Sequence, residues 1–332
     1  MTNVYNTLII NTMKIKGPLL SINAHGTIAN TLTFSKRKTH QHLRSKQKQN
    51  KKITPKQQEW RLLMDFVSLK WASLNDDEKA AYTVQAQTSQ RNITGFQMFA
   101  SYAMKDPKEY LDFIFFCPFV YEAPANEFIN YADQTYNILS TNPTLGRYEI
   151  ITRNTRKTKY TNRSIEDRNY FTTPKTKPIG ISNSEFTVIF LYRLIKYVSV
   201  VRPFGFSESA NYDSGFFMYQ DEIDRIKIIL PHPDGDIYPK AYDNYTIGEE
   251  VLMSYTLKDG DFKVYVNGNL ETESINVVPN VAVSNKVAIH DWVAASTGNV
   301  SEMSYVTILN RELSASEIKT IYKSLKINQG DK

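Results

Sequence analysis

The pattern of apolar and polar positions gives the chain three textures. Residues 4–35 read as short strands, Val4 to Ile10, Met13 to Ile15 and Ile28 to Phe34, broken by Gly17-Pro18 and Gly26. Helical spacing follows. Thr54 is a good N-cap with Pro55 at the first helical position, and Trp60, Leu63, Met64, Val67 and Trp71 recur on one helical face. Asn75 with Glu78 three residues on has the form of a capping box. Thr94 caps a third helix over GFQMFASYAM, which stops before Asp106-Pro107. The aromatic residues of this stretch suit a small helical core.

From about Ala123 short runs rich in Val, Ile, Tyr and Phe alternate with Gly, Pro, Asn and Asp turns. The runs predict strands at Tyr148–Thr152, Glu185–Leu194, Gly215–Gln220, Arg225–Leu230, Glu250–Leu257, Phe262–Val266, Ala288–Ile289 and Glu302–Leu309. Asp259-Gly260 and Asn267-Gly268 are tight-turn dipeptides on either side of DFKVYV. Ser314 with Glu317 caps a last helix to Leu325. These elements predict a mainly β protein. An antiparallel two-sheet sandwich spans 123–327, with a tail at 328–332. A small α+β portion precedes it, made of a basic arm with short strands (1–58) and a helical region with linker (59–122).

Composition agrees with more than one compact piece. A chain of 332 residues that is 41% apolar and 22% charged can bury substantial cores. The single cysteine, Cys117, excludes an internal disulfide and a cysteine-based metal site. The longest apolar stretches, Phe113 to Tyr121 and Phe186 to Tyr192, are too short to cross a bilayer, so no membrane insertion is expected. The opening MTNVYNTLIINTMK lacks the pattern of a signal peptide.

Charge changes the picture more. The formal net charge is +6, but eleven basic residues and no acid precede Glu59. The remaining 29 basic residues (40 less 11) face all 34 acidic ones. Nine of the eleven cations lie between Lys36 and Lys56, in a run that includes Arg37, Lys38, Arg44, Lys46, Lys48, Lys51 and Lys52. Such a run repels itself and needs solvent or an acidic partner. Three readings stand open: a solvated arm, docking on an acidic protein surface, and nucleic-acid binding. The last lacks stacking aromatics, since only Phe34 lies nearby.

Four segments in order, SEFTVIFLYRLI, GFFMYQDEIDRIKIIL, EEVLMSYTLKDGDFKVYVNGNLE and GNVSEMSYVTILNRELSASEIKTIY, resemble the laminin G-like, concanavalin A-like lectin/glucanase superfamily over about 125–325. The most specific pieces are Tyr265–Gly268 (YVNG) and Asn310–Tyr322 (NRELSASEIKTIY). The resemblance implies a jelly-roll sandwich sealed by a short helix, in a superfamily of lectins, glycosidases and adhesion modules. Relatives often begin the last strand with an Asp-Glu pair after glycine. Here Gly298-Asn299-Val300-Ser301-Glu302 puts serine in the aspartate place, which argues against calcium bound as in those relatives. Some glucanases of the superfamily carry Glu-x-Asp-x-Glu on one strand face. Glu222 and Asp224 match, but Ile226 fills the third place, which leaves no acid/base and implies a non-enzyme.

No other catalytic pattern is present. His25, His40, His42, His232 and His290 are scattered, and no phosphate loop, dinucleotide fingerprint, serine elbow or HExxH occurs. His40 and His42 sit at a spacing that could chelate a metal on a strand. The loops with Asp234 and Asp236, and with Asp243 and Asn244, offer oxygen donors beside aromatics that could hold calcium or a sugar ring. No cofactor is otherwise implied.

The stretch His25–Lys38 (HGTIANTLTFSKRK), with ITPKQQEWR and the Trp71 to Tyr82 run, resembles a segment of structural proteins of tailed phages and related viruses, over about 20–105. That resemblance implies a non-enzymatic virion protein, a capsid decoration or tail accessory, oligomeric in the particle. The cationic residues would contact capsid or tail proteins, with Trp60, Leu63, Val67 and Trp71 holding the helices behind them. The sandwich would face host glycans. A cellular carbohydrate-binding protein or glycoside hydrolase, and a nucleic-acid-binding protein, are the alternatives.

Overall fold

The computed structural model describes residues 26–28, 32–37, 40–45, 55–89, 91–117, 127–128, 130–132, 138–140, 148–153, 159–164, 171–172, 181, 184–198, 201, 203–207, 215–222, 224–229, 240–274, 287–289 and 299–329. Two compact units divide between Lys52 and Ile53. In the first, β1 (Gly26–Ile28), β2 (Leu32–Arg37) and β3 (His40–Ser45) form an antiparallel sheet in that order. The single strand expected over Ile28 to Phe34 is therefore two. Part of the expected basic arm is strand: it supplies the end of β2 and all of β3. The strands expected at Val4 to Ile10 and Met13 to Ile15 lie outside the described residues.

The second unit opens with α1 (Pro55–Ser73), α2 (Asp76–Thr88), α3 (Gly95–Ala103) and α4 (Pro107–Leu111). The start signals act as read. Asn75 Oδ1 accepts from the Glu78 N–H while Glu78 Oε2 accepts from the Asn75 N–H, and Thr94 with Gln97 repeats the exchange. Helix α4 was not expected, because Asp106-Pro107 reads as a stop. Instead Asp106 Oδ1 caps the Glu109 N–H, with proline at the first turn, where it costs no hydrogen bond. Asp112 (φ 58°) then turns the chain out of the helix.

The strands that follow are β4 (Phe113–Cys117), β5 (Glu127–Phe128), β6 (Ile138–Ser140), β7 (Tyr148–Arg153), β8 (Lys159–Ser164) and β9 (Phe171–Thr172). Next come β10 (Glu185–Lys196), β11 (Phe204–Ser207), β12 (Gly215–Glu222), β13 (Arg225–Ile229) and β14 (Lys240–Asp243). The last are β15 (Glu250–Lys258), β16 (Asp261–Val266), β17 (Asn269–Ser274), β18 (Val287–Ile289) and β19 (Val300–Leu309), before helix α5 (Ala315–Gln329). One antiparallel sheet runs β17-β16-β15-β10-β19-β8-β7, with β4 also on β19; the other runs β14-β13-β12-β11-β18-β9-β6-β5. The protein is thus mainly β, a two-sheet jelly-roll-type sandwich behind an α+β leading portion.

The middle strands of the first of these sheets, β15, β10 and β19, are buried on both faces. The sheet's inner face (Val188, Phe190, Tyr192, Met253, Tyr255, Val264, Ile308) packs against Phe204, Met218, Ile226, Ile228 and Val287 of the second sheet. The Phe190 and Phe204 rings stack across the gap at 4.9 Å. Its outer face (Phe113, Phe116, Ile189, Leu191, Leu252, Tyr305, Leu309) packs under Leu62, Leu63, Phe66 and Val67 of α1 and Ile318, Ile321 and Leu325 of α5. Continuous burial along β10, β15 and β19 has this cause: both faces of each strand are covered. The helices therefore do not form a core of their own. Strand β4, on the helical side of the residue 122/123 boundary read from the sequence, is paired into the sandwich.

Two local features make this possible. A register shift where β10 meets β19 brings Leu191 opposite Tyr305 and Tyr192 opposite Met303. Residues 303 and 305 should share a face, yet Met303 lies in the inner core and Tyr305 in the outer one. In the Asn267-Gly268 turn, Gly268 has φ 79° and a Cβ there would lie 3.1 Å from Lys319 Cα. Glycine lets α5 close on the sheet.

Polar contacts tie the layers at their margins. Asp112 takes Lys70 Nζ at 2.7 Å and Arg311 Nε at 3.3 Å, while Arg311 also reaches Glu317 at 3.0 Å. Ser324 of α5 donates to Asp65 of α1. Burial pushes the Asp65 carboxyl above its ordinary value, with the Ser324 hydrogen bond opposing.

Two outcomes follow from this packing. Phe66→Ala removes a buried ring from between the helix and sheet layers and should cost about 3–5 kcal/mol. Helix and strand signals in the far-ultraviolet should then fall together at one lower melting temperature; loss of helix alone would contradict a shared core. A carboxyl whose folded-state pKa is raised stabilises most below its unfolded value and loses that contribution as pH rises through the folded one. Asp65→Asn keeps an oxygen for Ser324 and removes the titration. Melting curves between about pH 3 and about pH 7 should show wild type falling relative to the variant as pH rises.

Candidate functional site

One rim loop of the sandwich combines fixed backbone with exposed side chains. It follows β14, where Ala241 is buried and Tyr242 is half-buried against the inner core. Tyr245 anchors it. Its ring is buried, its hydroxyl accepts from the Leu194 N–H at 2.7 Å, and it donates to the Glu249 carbonyl at 2.8 Å. Burial drives the Tyr245 hydroxyl pKa well up, so it stays a neutral donor and acceptor. Gly248 (φ 87°) donates its N–H to the Leu194 carbonyl at 2.7 Å, so both backbone groups of Leu194 are given to this loop. Glu249 closes it, accepting from the Thr246 N–H at 3.2 Å and the Tyr242 hydroxyl at 3.3 Å.

What remains outside is a mixed surface. Asp243, Asn244 and Thr246 are exposed, and Ile247 is 37% exposed. Asn244 sits at φ 70°, in the left-handed region that asparagine tolerates. Amide, hydroxyl and aliphatic groups thus stand exposed on a backbone held by core hydrogen bonds.

The sequence-derived candidates fare differently. Asp243 and Asn244 are brought to this rim, while Asp234 and Asp236 lie outside the described residues. Asp243 is engaged by Arg225 Nε at 3.1 Å, so its carboxylate faces a cation that competes with calcium. Glu302, read beside the relatives' calcium position, is buried, and its cross-strand partners are Arg193 and Arg163. Arg193 pairs in turn with Glu250, so Glu302 lies in a cross-strand row of alternating charges. Among the described residues no three His, Cys, Asp or Glu side chains group to hold a metal.

The glucanase-like alignment is corrected. Glu222 ends β12 and pairs with Arg225 of β13, so the chain reverses between Glu222 and Ile226. Period two along one strand does not apply, and Ile226 is fully buried in the sandwich core.

In the leading unit, Lys36 and Arg37 lie in β2 and Arg44 in β3; Lys38, Lys46, Lys48, Lys51 and Lys52 lie outside the described residues. Of the helix residues expected behind them, Leu63 and Val67 are buried. Trp71 packs against Tyr82, Phe96 and Phe99 at 5.7–6.1 Å between ring centres. Trp60 is a correction: it is 48% exposed, whereas Leu62, Leu63, Phe66 and Val67 are the α1 residues that meet the sheet. Sequence reasoning missed Glu249 and Gly248. A glycine before two acids gives no signal until Leu194 and Tyr242 are known to lie beside it.

No protein-family model and no curated protein matches the chain. Among solved structures, it is similar to the botulinum neurotoxin serotype D binding domain (13% identity, TM-score 0.49). It is also similar to the botulinum neurotoxin type G receptor binding domain (16%, 0.47). A third is a type C neurotoxin structure described as showing cell entry dependent upon interaction with two ganglioside molecules (14%, 0.49). Each overlap covers 64% of this chain and 51% of the other, so the chain matches about half the length of these structures. The sandwich is defined here by its own strand pairing and core. No helix among the described residues is long and apolar enough to cross a membrane.

Tyr245→Phe should leave the buried Leu194 N–H without its acceptor and cost about 1–3 kcal/mol. Amide exchange at Leu194 and Gly248 should quicken more than at the centre of β15. Equal protection in both proteins would mean the loop is held by other means.

Proposed function

We propose that this is a non-enzymatic virion structural protein of laminin G-like type, in which a cationic leading unit grips the capsid or tail and the sandwich presents its rim loop to host glycans. One observation carries the reading. The boundary between units falls within seven residues of the first acid, Glu59, and residues 1–52 hold ten basic residues and no acid. The other 30 basic residues (40 less 10) are outnumbered by the 34 acids. Charge confined to one folding unit suits attachment by that unit, because oppositely charged surfaces steer encounter and fix orientation. The resemblance of 20–105 to virus structural proteins supports the same division. For the displayed half, Asn244 and Thr246 offer hydrogen bonds and Ile247 offers aliphatic contact, the pairing that a sugar's hydroxyls and ring face require.

Gradient-purified virus particles should contain the full chain by mass spectrometry, and a version lacking residues 1–52 should be absent from them. Incorporation of the truncated chain would refute attachment through the leading unit. On a glycan array, Asn244→Ala with Ile247→Asp should cut any specific signal about tenfold, the loss expected for roughly 1.4 kcal/mol. An unchanged signal would place binding elsewhere on the sandwich.

A further inference from the structure

Arg193 lies near the end of β10, where the rim loop docks. Tyr192 and Leu194 on either side of it belong to the inner core, so the Arg193 side chain leaves the other face of the sheet. Its Nη2 stands against the loop: a Cβ at Gly248 would lie 3.7 Å from it. Its Nε is shut away from solvent with no hydrogen-bond partner. The side chain is half-buried overall, and Nε alone of the guanidinium nitrogens is enclosed in this way.

The groups that could neutralise this cation are near but used elsewhere. Glu250 and Glu302 stand opposite Arg193 in register, one on each neighbouring strand, and among the described residues no ion pair joins either to it. Glu302 has Arg163 opposite it on its far side. The Glu249 carboxylate accepts from the Thr246 N–H and the Tyr242 hydroxyl. The Tyr245 hydroxyl is taken by the Leu194 N–H and the Glu249 carbonyl. Arginine keeps its proton throughout the working pH range, so folding has removed part of the water from a permanent cation without placing a counter-charge in contact with it.

We propose that the outer edge of the Arg193 guanidinium is the anion-binding point of the rim site, and that its ligand is a sugar carrying a carboxylate. This names the glycan class of the reading above and rests on it. A cation already partly dehydrated and held against Gly248 loses less on binding than a mobile surface arginine does. The Nη1–Nη2 edge offers parallel N–H groups that the two oxygens of a carboxylate match. The glutamates in register select against a phosphate, which carries close to two negative charges at neutral pH and is repelled more strongly. A free inorganic anion would leave the rest of the loop idle. Ile247 adjoins Gly248, and Thr246 is two residues from it, at most about 7 Å of chain. A ligand with hydroxyls, an apolar ring face and one carboxylate uses all three positions.

The test is titration calorimetry on the full-length protein with trigalacturonate, a short carboxylated sugar, and with its methyl ester, in which the same rings carry no charge. Wild type, R193Q, R193K and N244A/I247D are compared, with far-ultraviolet circular dichroism to check folding. Wild type should bind the acid about five- to thirtyfold tighter than the ester, between the effect of an exposed ion pair and that of a hydrogen bond to a charged group. R193Q should bind the two forms within about twofold of each other. R193K should keep part of the preference, because the charge remains and the fork does not. Equal binding of acid and ester by wild type, no binding of either, or an R193Q that keeps the preference would each overturn the proposal; the last would assign the attraction to the cationic leading unit. Loss of the preference in R193Q with unchanged binding by N244A/I247D would uphold the anion point and reject the rim loop as the glycan surface. Equal binding of both forms that N244A/I247D abolishes would keep the glycan reading and reject Arg193.

Discussion

The structure depends on one constraint: the central sheet has apolar side chains on both faces, and each face must be covered. The second sheet covers one, and α1 with α5 covers the other. Burying a large apolar side chain contributes roughly 1.5–3 kcal/mol, so neither cover can be removed without exposing many such groups at once. Helices that precede the sandwich in sequence are for this reason part of it. The closing helix is held there by the same outer face, by the glycine at 268 and by the Arg311–Glu317 and Ser324–Asp65 contacts.

That rigidity is passed to the rim. The loop after β14 is not an independent structure but an extension of the core through Tyr245, whose hydroxyl bridges Leu194 and Glu249. A loop held in this way has already lost most of its conformational entropy before any ligand arrives, and binding costs correspondingly less. The fixed backbone leaves the exposed Thr246 and Ile247 side chains free to vary without disturbing the fold, whereas the φ of 70° at Asn244 favours asparagine or glycine.

The leading unit solves a different problem. A dense row of cations is costly to fold unless the charges are separated from the apolar residues that stabilise the sheet. In the register of β2 with β3, Phe34 stands opposite Leu43 and Arg37 opposite His40.

The amino-acid sequence by itself determined the element types, the caps at Asn75, Thr94 and Ser314, the Asn267-Gly268 turn, the sandwich class and the uneven charge, because each depends on neighbours a few residues apart. It also brought Asp243 and Asn244 forward as a loop with suitable donors. Only the tertiary structure decided where apolar runs were spent. Periodicity shows that Leu63 and Val67 share a helix face, but whether that face meets other helices or Ile189 and Leu252 is a matter of contacts far apart in the chain. The same holds for the reversal between Glu222 and Arg225, the face switch between Met303 and Tyr305, and the burial of Tyr245. Each rests on which strand lies alongside, and strand neighbours are chosen by the packing of the whole sheet rather than by any local pattern.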